Sequence, residues 1–245
     1  MVPSFLLLLA MLAQTTNPPT PAVPPPAQSS AIPALREVAP GVLEYNGIRL
    51  DKKNHRISFP ASVNQRVGLI EYLLVNEKGK THESLFETKV LPHDIHLALL
   101  LIGLKEDAKE NPTETPPPQA IDSAYLHSAP KLKGAPVSIS VVWTDQGKKT
   151  EIAAEDWVLN LETNHPMTRG LWTYHGSFIE NGVFLADEEL SIVAVVTDPT
   201  ALVNNPRQGY DDDEIWQARD EVVPPLDTPV EIIITLAKST DNNKP

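Results

Sequence analysis

The chain has 245 residues, 24 of them proline and none cysteine, with a formal net charge of −12. Without thiols there are no disulfides, thiolate nucleophiles, iron–sulfur clusters or Cys-type zinc sites, so stability has to come from core packing. The 20 basic residues stand against 32 acidic ones and form no basic stripe, which excludes nucleic acid and anionic membrane surfaces as expected partners.

Residues 1–13 read as a signal peptide. The apolar run from Phe5 to Ala13 is far shorter than the ~20 residues a membrane-spanning helix needs, and Ala13 is a small residue suited to cleavage. No stable membrane span is expected after that cleavage. Residues 14–40 read as a proline-rich linker, because the prolines between Pro18 and Pro33 forbid helix and sheet ladders and favour an extended spacer. Residues 41–238 are expected to form a single domain, and residues 239–245 a polar tail.

Within that domain, Val42 to Leu50 reads as a hairpin turned by Asn46-Gly47. His55 to Phe59 alternates and should end as a strand at Pro60. Val67 to Val75 reads as a buried strand with Glu71 in its middle. Glu77 to Lys80 then turns, and Thr81 to Val90 reads as the returning strand. A helix follows over about 92–103, with Pro92 in its first turn, Asp94 at its positive end and Gly103 as its cap. It is apolar almost all round and should lie buried. Residues 105–119 read as a mobile charged and proline-rich loop.

Further on, Val137 to Trp143, Leu190 to Thr197 and Val230 to Leu236 read as core strands. Ala153 to Leu159 fits a short helix or a strand. Gly170 to Phe178 is aromatic-rich, and Asn181-Gly182 turns into Val183 to Ala186. Asp211 to Arg219 suggests a short helix. The expected fold is α+β, mainly β: an antiparallel sheet or partly open barrel of about eight or nine strands packing one buried helix.

Four stretches carry a family resemblance: GLIEYLLVNEKGKTHESLF (Gly68 to Phe86), PHDIHLALLLIGL (Pro92 to Leu104), WTYHGS (Trp172 to Ser177) and VVPPLDTPVEIII (Val222 to Ile234). Together they resemble the YdjY-type domain, whose members are exported bacterial proteins, many of them planctomycete. The resemblance implies a periplasmic or extracellular location. It supplies no activity and no functional residue.

Candidate site residues therefore come from the chain itself. Glu71 in an apolar strand needs a partner if buried, and Lys80 or His82 could supply it. Glu83, Trp172, Tyr174 and His175 complete a set of ligand-binding candidates, since aromatics stack on sugars and peptides. As neighbours on a strand, His82 and Glu83 should point to opposite faces. His93 and His96 share a helix face, and with His82 they are candidate metal ligands; Zn²⁺ suits such donors. No HExxH or GxSxG motif is present, and the Ser84–His82 and Ser177–His175 pairs lack a third group. The leading expectation is a non-catalytic binding or scaffolding domain of the bacterial envelope, with a protein or glycan partner and no cofactor. The alternative is a metal-binding protein or metal-dependent hydrolase using the histidines.

Overall fold

The computed structural model describes residues 35–105, 132–145 and 147–237. The expected signal peptide and tail, most of the linker and nearly all of the 105–119 loop lie outside these residues. The described residues all lie in the unit Pro33–Pro245.

Its strands are β1 (Arg36–Ala39), β2 (Val42–Tyr45), β3 (Ile48–Asp51), β4 (Arg56–Val63), β5 (Tyr72–Asn76) and β6 (Ser84–Thr88). Helix α1 (Pro92–Leu101) follows, and then β7 (Ala135–Asp145), β8 (Lys148–Ala153), β9 (Val158–Asn160), β10 (His165–Pro166), β11 (Trp172–Tyr174), β12 (Ile179–Glu180) and β13 (Val183–Phe184). The short helix α2 (Leu185–Glu189) precedes β14 (Ser191–Ala194), β15 (Val203–Asn204), β16 (Trp216–Ala218) and β17 (Pro229–Leu236).

Eight strands close into a barrel in the order β4–β17–β7–β11–β15–β14–β5–β6, with β6 pairing back onto β4. Among the described residues the mainly β character and the one long helix match the sequence expectation, but α1 is buried on one side only, with Leu97 and Leu101 exposed. The barrel is closed where the sequence suggested an open edge, and mixed where it suggested antiparallel pairing, because β5–β6 and β14–β15 are parallel.

Local chemistry explains both departures. After β5 the chain turns at Gly79, whose amide bonds Asn76 O at 2.8 Å, and a 3-10 turn at Thr81–Glu83 carries it back. Ser84 thus enters opposite Tyr72, and β6 runs parallel to β5 where a hairpin was expected. Strand β4 continues through Pro60 instead of ending there. Its first half pairs with β3 and its last residues with β6 on the same edge, so the missing N–H of proline falls where the partner changes.

One core fills the barrel. Ile57, Phe59, Leu73, Leu74, Phe86, Val141, Trp157, Trp172, Val193 and Ile232 are all buried there, joined by Ile95, Ala98, Leu99 and Ile102 of α1. A smaller cluster of Tyr72, Val75, Ala194 and Ala201 lies apart from it, so β5 is buried on both faces. Helix α1 ends as expected. Leu104 N bonds Leu99 O and Gly103 N bonds Leu100 O, with Gly103 at φ +103°, a conformation that favours glycine. The 211–219 stretch forms turns and then β16 in place of the expected helix, since Trp216 pairs with Asn160 and drives its ring into the core. Ala153–Leu159 resolves into a 3-10 turn at Ala154–Trp157 followed by β9.

Candidate functional site

The buried strand expected from Val67 begins only at Tyr72: the segment leading into β5 bends at Val67, Gly68 (φ +97°) and Glu71, and Val67 and Leu69 are exposed. Ile70 N bonds Trp216 O at 3.0 Å, Leu69 bridges Gln217, and Ala218 N bonds Gly68 O. The Glu71 backbone is fixed on both sides: its amide donates to Glu83 O at 2.9 Å, and its carbonyl accepts from Val195 N and Val196 N at 2.7 and 3.0 Å. Its side chain is half-buried and hydrogen-bonds no described residue. Burial raises the Glu71 pKa above the usual carboxylate value, and the charges of Glu83 and Asp213 add to the rise, while Lys80 and His82 oppose it. The sequence candidates Glu71, Lys80, His82 and Glu83 therefore share one electrostatic neighbourhood, and Asp213 is a member the sequence did not reveal.

Lys80 has other partners. Its ammonium donates to Tyr72 Oη at 2.9 Å, lies 5.1 Å from the Tyr72 ring centroid, and stands 3.5 Å from Glu189 and 3.9 Å from Asp198. Tyr72 in turn donates to Asp198 Oδ2 at 2.9 Å. Burial first, and then the Asp198 carboxylate, push the Tyr72 phenol far above its usual pKa, so it stays a protonated donor. The other Asp198 oxygen accepts from Thr200 N and Oγ1 at 2.8 and 2.6 Å, and Asn204 bonds the Asp198 backbone at 2.8 and 3.0 Å. This network folds the loop that makes β15 parallel to β14.

His82 is largely exposed, and its Nε2 lies 3.6 Å from Glu83 Oε2. The two side chains do not point to opposite faces as expected. They sit on a 3-10 turn, not on a strand, so the alternation rule does not apply.

His93 and His96 turn to separate partners. His93 Nδ1 is 2.8 Å from Asp187 Oδ2 on α2, and its Nε2 is 3.3 Å from the buried Asp94. His96 Nδ1 bonds Tyr174 Oη, and its ring packs on Phe184 with centroids 5.4 Å apart. Among the described residues no three His, Cys, Asp or Glu side chains are gathered to hold a metal ion, so the structure does not assemble His82, His93 and His96 into a site. Ser84 is buried and donates to Phe86 O at 2.8 Å, away from the exposed His82.

Trp172 and Tyr174 share a face of β11 as expected, and that face is the core: they are 1% and 3% exposed. His175 follows directly, with its amide bonded to Leu202 O at 2.8 Å. Trp172 leads to a feature with no sequence signal. Its Nε1 donates to Glu155 Oε1 at 3.0 Å, the Arg207 guanidinium stacks 4.9 Å from its ring, and Arg207 Nη2 also donates to Glu155. Both charges are buried, at 3% and 11% side-chain exposure. Burial lowers the Arg207 pKa, and Glu155 resists that fall. The two residues are 52 positions apart.

A shallow groove of about 190 Å³ opens along β4 and β6, lined among others by Pro60, Ser62, Glu77, Glu87 and Lys89. Burial, together with Glu77 and Asp227, raises the Glu87 pKa, and Lys89 opposes this.

No curated protein and no solved structure matches the chain. The model of the YdjY domain matches residues 48–235, a span that runs from β3 into β17, reaches all eight barrel strands and includes the Glu71 neighbourhood. The chain belongs to the YdjY domain family.

Proposed function

We propose that this protein is an exported, non-catalytic binding or scaffolding domain of the bacterial cell envelope, and that it meets a protein partner through the surface around Glu71. One observation carries the reading: a half-buried carboxylate that hydrogen-bonds no described residue lies in the same short segment as two exposed apolar side chains. Val67 is 67% exposed and Leu69 45% exposed. Both lie within four residues of Glu71 in the chain, on the same approach to β5. Two more carboxylates, Glu83 and Asp213, act on Glu71, while Lys80 is engaged with Tyr72, Glu189 and Asp198. The complementary partner carries a Lys or Arg beside an apolar residue. A salt-sensitive contact follows from that chemistry. The apolar run at Phe5–Ala13 and the proline-rich stretch after it support export on a spacer.

The test is a photo-crosslinking residue placed at Leu69 in the source cells, with the same residue at Ile179, 71% exposed, as control. A discrete protein adduct from position 69 alone, in the envelope fraction, is the expected result. A glycan adduct would replace the partner class. Equal adducts from both positions, or protein confined to the cytoplasm, would overturn the reading.

A further inference from the structure

Two Asn-Gly dipeptides turn hairpins in this fold, Asn46-Gly47 between β2 and β3 and Asn181-Gly182 between β12 and β13. Their backbones match closely: φ is +47° and +49° at the asparagines, and +79° and +81° at the glycines. Both asparagines are exposed. Their side-chain amides differ. Asn46 Nδ2 donates to Asp94 Oδ1 at 2.8 Å, and Asp94 is only 5% exposed. The Asn181 amide hydrogen-bonds no described residue.

We propose that Asn181 is a site of spontaneous deamidation in the folded protein, and that Asp94 protects Asn46 from the same reaction. The backbone nitrogen of Gly182 attacks Cγ of Asn181. A ring C–N bond forms, the Cγ–Nδ2 bond breaks, and Nδ2 leaves as ammonia with the proton from the glycine amide. One water then opens the succinimide at either carbonyl, giving an aspartyl or an isoaspartyl link. The net change is one water in and one ammonia out, with nothing oxidised or reduced. Glycine leaves the attacking nitrogen unobstructed, and a Cβ at Gly47 or Gly182 would meet nothing within 4 Å. Backbone and following residue are therefore equal at the two sites, and the anchoring of the amide is what differs. Ring closure swings Cγ over the next nitrogen, so the Asn46 amide has to leave Asp94 first. Its product would also set a carboxylate against Asp94. At Asn181 either product adds a negative charge, and the isoaspartyl product also adds one backbone methylene, to a hairpin that runs straight into α2.

The test incubates the purified full chain at mildly alkaline pH in heavy-oxygen water and maps the labelled peptides. Asn181 should convert about tenfold or more faster than Asn46, the factor expected for one charge-assisted hydrogen bond. Asp94→Ala should close that gap, and Asp94→Asn should narrow it. In urea, where the anchor is lost, the wild-type sites should react at similar rates, and this arm holds even if Asp94→Ala does not fold. Equal rates in the native protein, faster conversion at Asn46, or a gap that persists in urea would each overturn the proposal.

Discussion

Asp187 on α2 holds the first turn of α1 through a single residue, His93: Oδ1 accepts the His93 backbone amide at 2.9 Å and Oδ2 meets its Nδ1 at 2.8 Å. The N-cap position of α1 is Leu91, which offers no side-chain acceptor. A carboxylate from a distant helix thus does the work that Ser, Thr or Asp usually does from within. Asp187→Ala should cost about 1 kcal/mol, the usual value of a lost cap. Hydrogen exchange should quicken at the His93 amide and stay unchanged in β17. Unaltered exchange at His93 would show that the cap contributes nothing.

The buried Glu155–Arg207 pair calls for a larger effect. Removing one charge leaves the other desolvated and unpaired, so Arg207→Met should destabilise by ~3–5 kcal/mol in urea unfolding. The double variant Glu155→Gln with Arg207→Met should recover part of that loss, because no charge is left stranded. Additive losses would contradict the pairing.

Elements that rest on local signals were legible in the sequence. Asn46-Gly47 dictates a tight hairpin, Pro92 and Gly103 bracket a helix, and VEIIITL can hardly be other than a buried strand. What rests on long-range partners was not. Nothing near Thr81 announces that the chain doubles back into a parallel strand, and a helical reading of Asp211–Arg219 could not foresee that Trp216 pairs with Asn160. The site divides in the same way. Glu71, Lys80, His82 and Glu83 are close in sequence and were found together. Asp213, Asp198 and Arg207 reach their partners only through barrel closure, and α2, which supplies Asp187 to His93, is too short to show a periodicity.

The raised pKa of Glu71 has a testable pH signature. The fold favours its protonated form, so the folded pKa lies above the unfolded one. Its contribution is most favourable below the ordinary carboxylate range and is lost as pH rises through the folded value. Glu71→Gln should therefore stabilise the protein at neutral pH, by less than about 1 kcal/mol because the site is half open to water. The gain should fade on acidification. A gain that grows as pH falls would contradict the placement of this carboxylate.

The separate engagement of the histidines predicts that protein purified without a histidine tag binds no stoichiometric zinc. Elemental analysis, with added Zn²⁺ and a thermal melt, checks this. One equivalent of metal that disappears with His93→Ala would restore the metal-dependent alternative.

Docking of a cationic protein partner on the Glu71 surface is the proposal most open to direct measurement. The most direct measurement is the yield of the Leu69 photo-crosslink in cells with and without Glu71→Lys, alongside melting temperatures for both proteins. The charge reversal should lower the adduct about tenfold or more while the fold survives, in line with a lost charge contact. An undiminished adduct in a stably folded Glu71→Lys protein would contradict it.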